Sequence, residues 1–175
     1  MIELTPQREK LQEAEHFYQE MVRESQAEEY KRFRHALSAF VNAGRSVLQY
    51  THKDAGALQK MSEYNALIAG NQIIRFFKGI RDINIHEKPI GTHCEGSASF
   101  SGLILVRTPD MSDEDVAELT KVSRVQEQIG TTTEIRYLFD DWEGPEDVLV
   151  LSDKYLNELK DFVNAAESRG LIRGT

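Results

Sequence analysis

The sequence predicts a mainly α protein with a minor α+β character: an up-down bundle of about four helices, with a small β-containing insertion before the C-terminal helix. Three observations predict it. Apolar residues recur at three- and four-residue steps over roughly the first 85 positions and again near the end. The stretch between them is rich in Gly, Ser and Thr, then alternates with period two. The chain has 175 residues, 40% of them hydrophobic, enough to fill one core and too apolar for global disorder. We therefore expect a single domain over 1–175: a helical core to about 90, an insertion over about 91–147, and a closing helix over about 148–170.

The first helix is expected over about 6–24, where Leu11, Ala14, Phe17, Tyr18, Met21 and Val22 share one face and Thr5-Pro6 supplies an N-cap and first helical position. A second is expected over about 27–52. Its stripe is Phe33, Ala36, Leu37, Phe40, Gly44, Val47, Leu48 and Thr51, with Gly44 placed to let another helix approach closely. His52-Lys-Asp-Ala-Gly reads as a break. A third helical pattern spans about 58–85, with Met61, Tyr64, Leu67, Ile68, Ile74, Phe77 and Ile80 inward; it is weakened at Gly70 and Gly79 and stopped before Pro89. The segment at about 90–101 reads as loop, about 100–107 as strand, about 112–129 as a short helix, and about 132–140 as strand. After the short apolar run Val148-Leu-Val-Leu, Ser152 caps a last helix carrying Tyr155, Leu156, Leu159, Phe162, Val163 and Ala166.

The formal net charge is −8, which argues against a non-specific nucleic-acid coat, and no DNA partner is expected; a local basic cleft stays compatible with it. One cysteine, Cys94, cannot form an intrachain disulfide and suits a reducing compartment. No apolar run approaches the roughly 20 residues of a membrane span, and the first residues lack signal-peptide blocks, so a cytoplasmic location and no membrane partner are expected.

Several chemistries lack their residues. There is no Gly-rich phosphate loop and no His-Glu-x-x-His. His16, His35, His52, His86, His93 and Cys94 lack zinc-site spacing, so neither a metal nor a cofactor is expected. Glu13, Glu15, Glu20 and Glu24 read as a solvated helix face, Asp113 to Asp115 as a helix start, and Asp140, Asp141 and Glu143 around Trp142 as a turn.

Arg81-Asp-Ile-Asn-Ile-His86 remains. Arginine offers a permanently charged fork for phosphate oxygens, and histidine titrates near neutrality. Together they suit phosphoryl chemistry without a metal. By spacing alone, about one Arg-x4-6-His match is expected by chance; the chain has two, the other being Arg45 and His52. Arg34, Ser38, Arg45 and His52 fall along the edge of the second helix, as a polar seam or a solvated flank. Arg81 and His86, five apart, diverge by about 140° on a continuous helix. They converge only where the helix ends or bends between them, or where a second subunit brings a matching pair.

Phe77-Lys-Gly-Ile-Arg-Asp-Ile-Asn-Ile-His-Glu resembles the signature of the HEPN superfamily, Arg-x4-6-His with a polar residue after the arginine. Phe33-Arg-His-Ala-Leu-Ser-Ala-Phe-Val-Asn-Ala-Gly-Arg-Ser-Val-Leu resembles the second helix of a bacterial subgroup, and Tyr137-Leu-Phe-Asp-Asp-Trp-Glu-Gly-Pro-Glu-Asp-Val its β-to-helix segment. The resemblance covers residues 1–90 and, more loosely, the last third. It implies a HEPN-like bundle that forms a homodimer with two Arg–His pairs at a shared cleft. It also implies a metal-independent endoribonuclease acting on RNA, in a toxin–antitoxin or other defence setting with an antitoxin or operon partner. By that resemblance Arg81 contacts the scissile phosphate, His86 transfers protons, Asp82 orients the site, and Asn84 and Lys88 are further contacts; Arg45 and Arg34, from the edge of the second helix, are added as candidate substrate contacts. The departure is Lys88, where toxins paired with a nucleotidyltransferase antitoxin carry tyrosine. The alternatives are a non-catalytic HEPN-like binding or scaffold module, and a nucleotide-binding domain in which Arg81 and Arg45 grip phosphates.

Overall fold

Residues 4–86, 89–100, 112, 114 and 131–173 are described by the structure, a computed structural model. Within these ranges, 85–86, 97–100 and 131–134 are described by their backbone alone. Among the described residues the chain is mainly helical, with one two-stranded sheet. The elements are α1 (Pro6–Gln26), α2 (Tyr30–Ala57), α3 (Met61–Ile68), α4 (Gln72–His86), β1 (Thr92–Phe100), β2 (Thr131–Phe139) and α5 (Val148–Ser168). No helix among them is long and apolar enough to cross a membrane. The chain forms two compact units, one of residues 1–93 and 137–175, the other of 94–136.

In the first unit α2 packs against α1, α3, α4 and α5. Its whole anticipated stripe is buried, Phe33 through Thr51. Phe40 meets Phe77 of α4 and Tyr155 of α5 edge-on, and Phe77 lies flat on Tyr155 with ring centres 4.2 Å apart. Gly44 admits this arrangement, because a Cβ there would stand 2.7 Å from Tyr155 Cε1. Tyr137 of β2 stacks on Phe33 at 4.2 Å, bringing the strand end onto α2.

Thr5 caps α1, its Oγ1 accepting from the Arg8 N–H with Pro6 beginning the helix, as its side-chain chemistry requires. Four local expectations are corrected. First, α2 runs through 52–56 to Ala57, because its last turn is held from outside: Asp54 accepts from Gln7 Nε2 at 2.8 Å and from Arg173 Nε at 2.7 Å. Second, the expected third helix is two helices. Gly70 takes a left-handed φ of 81°, and Asn71 restarts the helix by accepting from the Ile74 N–H while donating to Glu158 of α5. Third, the polar segment after Ile90 is a strand, β1. Residues 93–96 are exposed, and the strand pairs with β2, next to the Asp140 N–H to Gly91 carbonyl bond. Fourth, α5 begins at Val148, capped by Asp147, whose Oδ1 accepts from the Val150 N–H at 2.8 Å. The apolar run is its first turn, and Ser152 is buried inside the helix. The expected strand after Phe100 and the helix over about 112–129 lie outside the described residues.

Three consequences are measurable. Gly44→Val should cost at least about 2 kcal/mol in urea unfolding, since the stacked Tyr155 ring cannot yield. Gly79→Ala, where a Cβ meets nothing within 4 Å among the described residues, should instead gain about 0.5–1 kcal/mol through helix propensity. Burial raises the Asp54 carboxyl, but the Gln7 and Arg173 hydrogen bonds outweigh it and hold the group below its ordinary 3.8. A depressed folded-state value means that the stabilisation is complete above about pH 4 and is lost as pH falls through the folded value. Asp54→Asn should therefore reduce stability at neutral pH and flatten its acid dependence, followed by urea unfolding between about pH 3 and 7.

Candidate functional site

The last two turns of α4 carry the residues singled out from the sequence. Ile80 faces the core, 7% exposed, which turns the neighbouring Arg81 partly inward. The Arg81 side chain is 24% exposed, and its Nη1 donates to Asp82 Oδ1 at 3.1 Å. That contact holds the guanidinium beside its own helix. The helix continues unbroken to His86, so the two residues lie about 140° apart around its axis. A helix end or bend between them, one of the two ways they were expected to converge, is thus absent. The side chain of His86 and all of Lys88 lie outside the described residues.

Asn84, one turn beyond Arg81, donates its amide to Ser38 Oγ at 2.8 Å and so fastens α4 to α2. One turn earlier on α2, Arg34 Nη2 donates to the Ile90 carbonyl at 3.3 Å, and its guanidinium lies 5.7 Å from the Tyr30 ring centre. The Tyr30 hydroxyl donates to the Thr92 carbonyl at 2.8 Å and lies 3.1 Å from Thr92 Oγ1. These bonds hold residues 89–92 against α2 and leave a cavity of about 450 Å³ between them.

Its polar wall is Tyr30, Lys31, Arg34, His35, Ser38 and Asn84, and no carboxylate lines it among the described residues. Lys31, Arg34, His35 and Ser38 stand at i, i+3, i+4 and i+7, hence on one face of α2. Lys31 and His35 are exposed, without an ion pair among the described residues. A cationic, carboxylate-free cavity in a chain of net charge −8 is suited to a phosphate or another anion, since guanidinium, ammonium, amide and hydroxyl donors converge on one space.

Of the anticipated contacts, Arg34 and Asn84 share this cavity. Arg81 and Asp82 do not line it, although they sit within one turn of Asn84. Arg45 lies elsewhere on α2, half-buried, with its charge directed toward Tyr64 and Tyr155. His52 packs edge-on against Tyr64 at 5.2 Å. Tyr30, Lys31 and His35 were not singled out beforehand; the signal available was the one-turn spacing of Lys31 from Arg34 and of His35 from Lys31 and Ser38. His93 binds Asp140 Oδ1 through Nδ1 at 2.8 Å, and Cys94 is exposed on β1. No three His, Cys, Asp or Glu residues gather as a metal site among the described residues.

No family model, curated protein or solved structure matches this chain.

The cavity should register anions directly. Inorganic phosphate or a mononucleotide should raise the melting temperature in a saturable, salt-sensitive way, and Lys31→Ala/Arg34→Ala should weaken apparent affinity at least about tenfold, as loss of charge-assisted contacts implies. An unchanged midpoint with millimolar phosphate would remove the anion assignment.

Proposed function

We propose that the protein is a metal-independent endoribonuclease of the HEPN type, working as a homodimer in which Arg81 and His86 of two chains form the catalytic centre. The observation that carries the proposal is the cationic cavity, free of carboxylates among the described residues, beside the α4 segment bearing Arg81 and Asn84. It supplies a place for RNA phosphate next to the motif, through Lys31, Arg34 and His35, on an otherwise acidic chain.

In this reading the RNA 2′-oxygen attacks the adjacent phosphorus while one His86 takes its proton. The bond from phosphorus to the 5′-oxygen breaks, and a protonated His86 from the second chain donates to that oxygen. Arg81 stabilises the extra negative charge on the phosphorane. The products are a 2′,3′-cyclic phosphate and a free 5′-hydroxyl. The unbroken course of α4 supports the two-chain requirement, since one chain's Arg81 and His86 diverge around the helix. Asp82, bonded to Arg81, would fix the guanidinium between turnovers. An antitoxin or operon partner would then restrain the activity by covering the cleft.

The size of the cavity and the pairing of Arg81 with Asp82 also favour a second reading, a non-catalytic module that binds a nucleotide. Cleavage separates the two. Arg81→Ala and His86→Ala should each lower the cleavage rate by about a hundredfold or more while leaving the fold and dimer intact. Activity should persist in EDTA, and the fragments should carry cyclic-phosphate ends. Absence of cutting by the wild type on structured and unstructured RNA, with retained nucleotide binding, would select the second reading.

A further inference from the structure

The segment after β2 builds a different surface. Trp142 lies against Phe76 of α4, ring centres 4.7 Å apart, and Phe76 in turn meets Phe77 and Phe139 edge-on. The indole Nε1–H donates to Glu146 Oε2 at 2.9 Å, and Lys154 Nζ donates to the other oxygen, Glu146 Oε1, at 2.6 Å. The turn closes over Gly144, where a Cβ would collide with both Trp142 and Glu146. The indole is thus clamped from one edge, its plane set by the turn rather than by solvent.

A groove of about 720 Å³ opens here, with Arg75 and Phe76 on one wall and Asp141, Trp142, Glu143 and Glu146 on the other. Asp141 and Glu143 are exposed and have no hydrogen-bond or ion-pair partner among the described residues. Glu146 is held ionised by Lys154 and Trp142, with its carboxyl lowered to about 2. An aromatic face flanked by two uncommitted carboxylates offers a cation both a π surface and charged acceptors. With Glu146 paired to Lys154, Asp141 and Glu143 stand against the single guanidinium of Arg75, so the groove stays negative. The chain's net charge of −8 adds a long-range attraction for a basic partner and repels an acidic one.

We infer that this groove docks a basic segment of a partner protein, with a lysine or arginine side chain laid on Trp142 between Asp141 and Glu143. The surface shares no residue with the cationic cavity, so the inference is independent of the ribonuclease reading. It assigns the chain two recognition surfaces of opposite sign, one for phosphate and one for a polycationic peptide.

Trp142 is the chain's single tryptophan, so intrinsic fluorescence reports on the groove alone. Titration of the full chain with a capped Arg/Lys hexapeptide at low salt should shift or quench the emission saturably, with an apparent Kd on the order of 100 µM that weakens as salt rises. The Asp141→Asn/Glu143→Gln variant, altered only at exposed side chains, should bind at least about tenfold more weakly with an unchanged circular dichroism spectrum. Lys31→Ala/Arg34→Ala should bind the peptide as the wild type does. The inference is overturned by an emission unaffected by millimolar peptide, by equal response to a Glu/Asp hexapeptide, or by unchanged affinity in the double carboxamide variant.

Discussion

The approach of α2 to α5 at Gly44 governs the rest of the first unit. With only hydrogen at that position, the Tyr155 ring lies against the α2 backbone and flat on Phe77. This one contact sets the separation of three helices, because Phe40 of α2 meets both rings edge-on. Close-packed interiors transmit such constraints, since neighbouring rings have no empty volume into which to relax. The placement of α4, and therefore of Arg81 and Asn84, follows from a glycine on another helix.

Polar ties then complete each end of α2. At its C-terminal end Asp54 gathers Gln7 from α1 and Arg173 from the C-terminal tail. Toward its N-terminal end Ser38 and Arg34 hold Asn84 and Ile90. Each is a contact between residues far apart in sequence, adding a directional bond to what the apolar stripe packs without one. The second group matters chemically, because it holds a Pro89–Thr92 crossing over α2 with room left beneath it for an anion.

Charge is distributed unevenly over this framework. Lys31, Arg34 and His35 share one helical face without an intervening carboxylate, while Asp141, Glu143 and Glu146 surround a fixed indole. A chain of net charge −8 with a cationic cavity that no carboxylate lines among the described residues can offer an anion a local site without a generally basic surface. Local composition, rather than the total, sets the sign of charge at each surface.

Helical periodicity made most of the core legible in advance. All eight residues of the α2 stripe, and the six named on α5, are buried, because a 3.6-residue repeat leaves a helix one way to hide them. The cap at Thr5 was legible for the same local reason. Boundaries and crossings were not. The continuation of α2 past His52 rests on Asp54 reaching Gln7 and Arg173, 47 and 119 residues away in sequence. The polar strand β1 depends on a partner strand beyond a long intervening segment, and no composition rule reports that pairing. At the site, the motif Arg81-x4-His86 could be seen in the chain, as could the divergence of its two ends. The cavity of Lys31, Arg34, His35 and Asn84 could not, because it exists only where two helices and a crossing segment meet. Short-range physics wrote the helices and their buried faces into the order of residues; the cation-lined space arose from long-range contacts, which only the packed chain supplies.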